Sequence, residues 1–462
     1  MKLLETICVG MLLLPSASLW SQVDNSSTQP VPAYGVDASA GNSNNDDRML
    51  TPPPVGGQSY PASGTSGERS NYLRGGLAFT GAYTDNALGS VGGQAVSDVS
   101  YSVAPFISLD ESTSRLHLIT MYAPGFTFYQ KTSARNEQDQ NASINLQYRL
   151  SPHVTFSARD SFQKSSNVFN QPFFGAATPV SGGTQQPNLS VIAPVAPLLS
   201  NNGNVGISWQ FAANGMVGAS GTFTNLHYLD QAEVPGLADS SSQGGSAFYS
   251  LRVSKMHYIG ATYQYDRLIA SPSNGQSETQ THALLFFYTL YVNSRFSMSF
   301  FGGPQHSDTV QPPIPPLQIQ LPEARAWTPA AGASMSWQGR MTNAALSYSH
   351  IISGGGGLNG AVQMTSVSAS IGQQLMRRLS GSLGGGYTQN DLLASALSGS
   401  SNGHTVSGTA SLQQQFGEHM TVQLGYTRLH QDYSNVAVLA ATPDTNREFV
   451  SISYQFSRPL GR

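Results

Sequence analysis

The sequence predicts an all-β fold: a transmembrane antiparallel up-and-down β-barrel of about 18 strands behind a disordered N-terminal segment. Three observations carry this. Val450, Ile452, Tyr454 and Phe456 alternate with Ser451, Ser453 and Gln455, and Val406, Ala410, Leu412 and Phe416 alternate with Ser407, Thr409, Ser411 and Gln413. A strict period of two gives a sheet with two different environments, apolar toward lipid and small or polar toward a wet interior. Tight turns and long polar loops also alternate along the chain, a sorting that a soluble β-protein has no reason to make. Only 10% of the residues are charged, well below the roughly 25% of soluble domains, yet no apolar run of about 18 residues lies beyond the N-terminus to form a spanning helix. The net charge of −3 gives no sign of nucleic-acid binding.

Residues 1–21 read as a secretory signal: Lys2, then the apolar stretch Ile7 to Leu14, then the small residues Ser16, Ala17 and Ser18. Cleavage after Ser18 or after Ser21 fits. The single cysteine, Cys8, falls inside this stretch, so the mature chain is expected to hold no disulfide and no thiolate metal site. Residues 22–70 are rich in Ser, Asn, Gly and Pro without apolar periodicity, and read as a disordered periplasmic segment. They are too short and polar for a folded plug domain. The barrel domain then spans 71–462.

Short turns are expected at Leu109–Ser112, Ser151–Pro152, Ala212–Gly215, Ser254–His257, Val292–Arg295, Gln338–Arg340, Met376–Arg378 and Gly417–His419. Long connections are expected at 84–94, 131–137, 165–202, 230–245, 270–278, 305–324, 353–360, 389–402 and 434–446. An even strand count puts both ends on the periplasmic side and the long loops outside. In 326–338, Trp327 and Trp337 share a face, and ten residues of tilted strand span about 25 Å, the height of a lipid-facing band. Trp209, Phe211, Tyr426, Tyr454 and Phe456 join these aromatic rims.

Three segments fit poorly. Residues 283–291 are apolar on both faces and 116–128 mix theirs, so such segments sit at a subunit interface or meet a loop packed into the lumen. Asp160 falls on the lipid face of 154–163, which points to a bulge nearby.

Over 71–462 the pattern resembles the Gram-negative outer-membrane barrel superfamily and, within it, the porins. No single motif assigns a subfamily. The last strand, Glu448–Phe456, resembles the signal read by barrel-assembly machinery, although Ser457–Arg462 follow the aromatic residue. The third external connection, 165–202, is free of charge and carries Phe169, Phe173 and Phe174. The resemblance implies a loop folded inward, with Phe173 and Phe174 as constriction residues. Pro172–Phe173–Phe174–Gly175 resembles the proline-to-glycine segment of that loop but lacks the acidic residue expected there. A lid over the barrel or a subunit contact is the alternative.

On the polar face, Arg74, Arg149, Arg159 and Arg252 point inward, with Arg115 near the periplasmic end. Arg74, Arg159 and Arg252 are candidate lumen selectivity residues, because fixed guanidinium groups in a narrow pore concentrate anions. The alternative, favoured by their differing heights, is that they pair with Asp98 and Asp266 and tie the wall together. Catalysis has little support. His350 and Ser353 lie near each other in sequence, but no acid or amide completes a triad, and the histidines lack metal-ligand spacing. Gly354–Gly357 reads as an external hairpin turn. No cofactor is expected.

The expected function is a porin-like outer-membrane channel for passive diffusion of small hydrophilic solutes, with a weak anion preference. Its partners are outer-membrane lipid, the assembly machinery and the solutes, with a homo-oligomer allowed. The alternatives are a polysaccharide-export porin, although the arginines are few, or a non-conducting structural or adhesive surface barrel.

Overall fold

The computed structural model describes residues 71–87, 95–133, 136–165, 191, 197–231, 236–272, 275–293, 295–311, 322–393, 402–434 and 444–460. Eighteen strands follow in order: β1 (Tyr72–Thr84), β2 (Asp98–Ser112), β3 (Leu116–Tyr129), β4 (Glu137–Arg149), β5 (Val154–Ser165), β6 (Leu198–Ala212), β7 (Gly215–Tyr228), β8 (Asp239–Arg252) and β9 (His257–Ser271). Then come β10 (Ser277–Asn293), β11 (Phe296–Val310), β12 (Ala324–Gln338), β13 (Thr342–Ser353), β14 (Val362–Met376), β15 (Leu379–Leu392), β16 (Gly403–Phe416), β17 (Met420–Tyr433) and β18 (Thr445–Pro459). Every strand pairs antiparallel with its sequence neighbours, and β1 pairs with both β2 and β18, which closes the sheet. Closure removes the two edges that would otherwise expose unpaired backbone groups in lipid. Both described ends meet at the short-turn end, where the Leu460 N–H donates to the Asn71 carbonyl at 2.8 Å.

The register fixes which way each side chain points. On β18, Val450, Ile452, Tyr454 and Phe456 are exposed outward, and their β1 and β17 partners Phe79, Leu77, Leu424 and Val422 share that face. Trp209, Phe211, Trp327, Trp337 and Tyr426 are also exposed, on the outward face where the pattern placed them. Inward, cross-strand hydroxyl pairs line the wall: Ser220 with Ser246 at 2.8 Å, Ser347 with Ser368 at 2.7 Å and Ser382 with Ser411 at 2.8 Å. An apolar exterior and a hydroxyl-lined interior make this a membrane-spanning barrel of the outer-membrane type.

Strands of 12 to 17 residues are longer than the band requires. Their excess projects beyond the lipid at the long-loop end, where ion pairs such as Arg267–Glu278, at 2.7 Å, stand on the outer face. This overhang explains three misplaced boundaries. β8 begins at Asp239 inside the expected 230–245 loop, β11 runs on to Val310, and β6 begins at Leu198. Above the band both faces are wet, so alternation fades while the ladder continues. At the other end, β2 continues through Asp110 and Glu111 to Ser112, and the turn lies at 113–115.

Candidate functional site

The lumen has two unlike walls. Along β18 and β1–β5 it is polar, with Arg74, Ser100, Ser102, Asn145, Arg149 and Arg159 on the inward positions. Along β7–β14 apolar clusters stand among inward polar residues such as Gln264, Thr279, Gln305 and Ser349. Near the short turns Met216 and Tyr258 are buried against Phe248 and Tyr291. Higher up, Ala283, Leu285, Phe287, Ala330 and Ile351 form a second buried cluster with Phe301 and Met364 against it. The two-sided apolarity of 283–291 is thereby accounted for: Leu284 and Phe286 face lipid, while Leu285 and Phe287 face an inner core.

That core exists because the wall opens between β12 and β13 at the long-loop end. β12 pairs with β13 only from Ala331–His350 down to Gln338–Asn343, although β12 itself runs on to Ala324. Pairing stops beside Pro329, which has no N–H to extend a ladder. Above that point the Ile352 N–H donates to the Gln305 Oε1 of β11 at 3.0 Å, and Ile352 is fully buried. β13 stays paired with β14 up to Ser353–Val362, and β14 with β15 up to Val362–Leu392, so the free edge of β13 turns inward while still joined to the wall.

The connecting loop, 354–361, then crosses to a distant part of the wall. Leu358 and Val362 pack with Leu198, Leu226 and Tyr228 of β6 and β7, and with Leu237, Tyr433 and Val191. The Tyr228 hydroxyl donates to the Gly356 carbonyl at 3.4 Å, and the Gly357 carbonyl accepts from the Ala238 N–H at 2.7 Å. Gly357 has φ +111°, and a Cβ there would collide with the Tyr228 hydroxyl, so only glycine fits. A second tyrosine anchors the far side, where Asn390 Nδ2 donates to the Tyr433 hydroxyl at 2.7 Å. Gly354–Gly357 does form the turn of the β13–β14 connection, with Gly356 and Gly357 at positive φ, but the connection packs into the mouth instead of standing outside it. The glycines let the chain fold into the mouth of the barrel, and the apolar Leu358 carries it there.

Phe173 and Phe174 lie outside the described residues. From the same connection Val191 is described, and it is buried in the cluster beneath the inward loop. Arg74, Arg159 and Arg252 occupy inward positions but are not brought into one ring. Arg74 stands near the start of β1, Arg159 in mid-β5, and Arg252 ends β8, where its Nη2 donates to the Ala213 carbonyl of the neighbouring turn at 2.6 Å. The Arg159 Nε donates to Asn145 Oδ1 at 3.1 Å. Arg115 sits exposed in the 113–115 turn.

Asp98 is engaged as a loop anchor, accepting from the Lys131 and Thr132 N–H groups at 3.0 and 2.8 Å. Asp266 is buried over Gly244, where a Cβ would collide with its Oδ1. Arg447 escaped the sequence reading. It faces inward on β18, stacks over Phe449 at 5.7 Å and lies within electrostatic reach of Glu137 and Asp139. Its odd position, shared with Ser451 and Ser453, was the available signal.

His350 and Ser353 point to opposite faces. His350 is outward, hydrogen-bonded to Thr365 and Gln363 at 2.8 and 2.7 Å, whereas Ser353 is buried inside. They form no nucleophile–base pair.

No protein family and no curated protein matches the chain. Among solved structures it is similar to the unliganded ferric citrate transporter FecA, at 8% identity and TM-score 0.40 over 79% of this chain. It spans 60% of that protein's length. It is also similar to OccAB4 of Acinetobacter baumannii, at 9% identity and TM-score 0.39, over 84% of this chain and 99% of the other. OccK2 (OpdF) of Pseudomonas aeruginosa gives 10% identity and TM-score 0.40, over 84% and 98%. At this level of superposition no residue role and no solute passes from these proteins to this one. The barrel rests on its own strand pairing.

Proposed function

We propose that the protein is an outer-membrane channel through which small hydrophilic solutes diffuse, narrowed at its outer mouth by the inward loop 354–361. The observation that carries this reading is the inner wall: paired hydroxyls on β7–β8, β13–β14 and β15–β16, together with the inward Ser100, Asn145 and Arg159, which a sealed apolar core would not use. Solutes are expected along the polar wall of β18 and β1–β5, because the opposite wall is filled by its own side chains. Arg74 and Arg159, with Arg149 nearby, supply a weak preference for anions there. Arg252, bonded to a turn carbonyl, acts only at the periplasmic mouth.

A second reading is favoured by the burial around Leu358, Tyr228 and Tyr433. A loop held that firmly would leave the barrel shut, as in a surface scaffold or an exporter opened by a partner. Single-channel recording of the refolded protein in planar bilayers separates the two. Steady conductance steps support the open channel, and silence from demonstrably folded barrels supports the shut one.

A further inference from the structure

Asp160 lies on the outward face of β5, and no bulge turns it aside. It pairs with Ile144 on one side and Gly203 on the other in unbroken register, so the irregularity expected there is absent. It stands six residues above Val154, whose β6 partner is the rim residue Trp209. At ~3.3 Å per residue and ~40° of tilt, that places the carboxyl about 15 Å into a band about 25 Å tall. A carboxylate there is poorly matched to lipid, and ionisable groups at such depth normally meet a partner.

The surroundings mix small and large outward residues: Ala158, Gly203 and Gly221 lie among Ile144, Val205 and Phe223. Beside them Asn201 and Asn225 face outward as a directly paired couple. Lys164 shares the outward face of β5, four residues above Asp160.

We propose that the outer face of β4–β7 is a contact surface for a second copy of this chain, with Asp160 on one side of its axis and the Asn201–Asn225 pair on the other. The patch carries a carboxylate together with its own complements, two carboxamides and an ammonium group. A two-fold axis along the membrane normal sets such a patch opposite itself, and each partner then satisfies the other. Small residues allow the close approach through which polar groups bond across a membrane interface. A lipid offers neither the shape nor donors at that depth.

The test uses the full chain in native membranes, with single cysteines introduced at outward positions and the unsubstituted chain, whose only cysteine is Cys8, as control. Gly221→Cys is expected to give a cross-linked dimer. Gly408→Cys, outward on β16 with open space around its Cβ, is expected to give none. Adding Asp160→Leu to Gly221→Cys should lower the dimer yield by about tenfold, the scale of a single hydrogen bond between partners within a membrane. Equal yields from Gly221→Cys and Gly408→Cys overturn the proposal, as does capture of a different protein at Gly221→Cys. If Asp160→Leu prevents folding, the comparison of the two cysteine positions still decides.

Discussion

Tyr228 and Gly356 are 128 residues apart in sequence, and the hydroxyl of the first donates to the carbonyl of the second inside the barrel. β7 and the β13–β14 loop lie seven strands apart around the wall, so the bond spans the mouth. It holds a loop whose weight comes from packing: Leu358, Val362 and Tyr433 are buried with Tyr228, and removing a large buried ring typically costs about 3–5 kcal/mol. Tyr228→Ala is expected to raise single-channel conductance by freeing the loop, with the barrel still folded by its eighteen-strand ladder. Tyr228→Phe removes only the hydroxyl, worth about 1 kcal/mol, and should change conductance little. Equal conductance in the wild type and Tyr228→Ala would mean that the loop does not limit the pore.

Gly357→Val tests the same contact from the other side. It places a branched side chain at φ +111° and against the Tyr228 hydroxyl, a strain of about 1–3 kcal/mol borne by the loop alone. Greater protease access to the outer mouth and a larger conductance are the expected outcomes. Unchanged protection would show that the loop tolerates a Cβ there and that the close approach is not enforced.

Adjacent residues on one strand should respond oppositely to the same charge. Leu412 faces lipid between Gly381 and Leu424, whereas Ser411 faces the lumen and bonds Ser382. Leu412→Arg is expected to cost about 2–4 kcal/mol of folding free energy in a bilayer. Ser411→Arg should fold nearly normally and shift the reversal potential toward anions. Denaturant titration in lipid vesicles and a salt-gradient recording read the two effects.

How far the sequence could be read follows from where its environments differ. Within the band, lipid and lumen demand opposite side chains, so Val450 to Phe456 and Val406 to Phe416 declared their faces. The double apolarity of 283–291 pointed to a subunit interface or a loop packed into the lumen, whereas what packs there is Ala330 of β12 and Ile351 of β13. Above the band that contrast disappears, and Asp239–Gln243 and Gln305–Val310 passed for loops although their ladders continue. Gly354–Gly357 announced a turn but not its direction. The direction came from Ile351, Ile352 and Leu358, whose clustering beside a glycine run was the missed clue. Arg447 fell between the connection expected to end at 446 and the last strand expected to begin at Glu448, so its face was not read.

Charge selection should depend on position along the polar wall. Arg159→Gln removes a cation from mid-β5, where the lumen is flanked by buried Asn145. A reversal potential closer to that of a non-selective pore is expected. Arg252→Gln alters a group tied to the Ala213 carbonyl at the mouth, and should leave the reversal potential unchanged. If both variants behave alike, the mid-strand arginine has no special place in selection.

Acid should loosen one point of the outer rim before the barrel itself. Burial works against the Asp444 carboxylate, but hydrogen bonds from His430 and Arg428 outweigh it and hold its pKa below the ordinary value of 3.8. A depressed folded pKa means that the stabilisation is present above the unfolded value and is lost as the pH falls through the folded one. Protection of the outer end of β17 around His430 against acid-active protease should therefore hold at pH 5 and fall only below about pH 4. Asp444→Asn removes the titrating group, so its protection should be lower at pH 5 and flat across that range. A drop in the wild type that survives in Asp444→Asn would assign the acid response to another group.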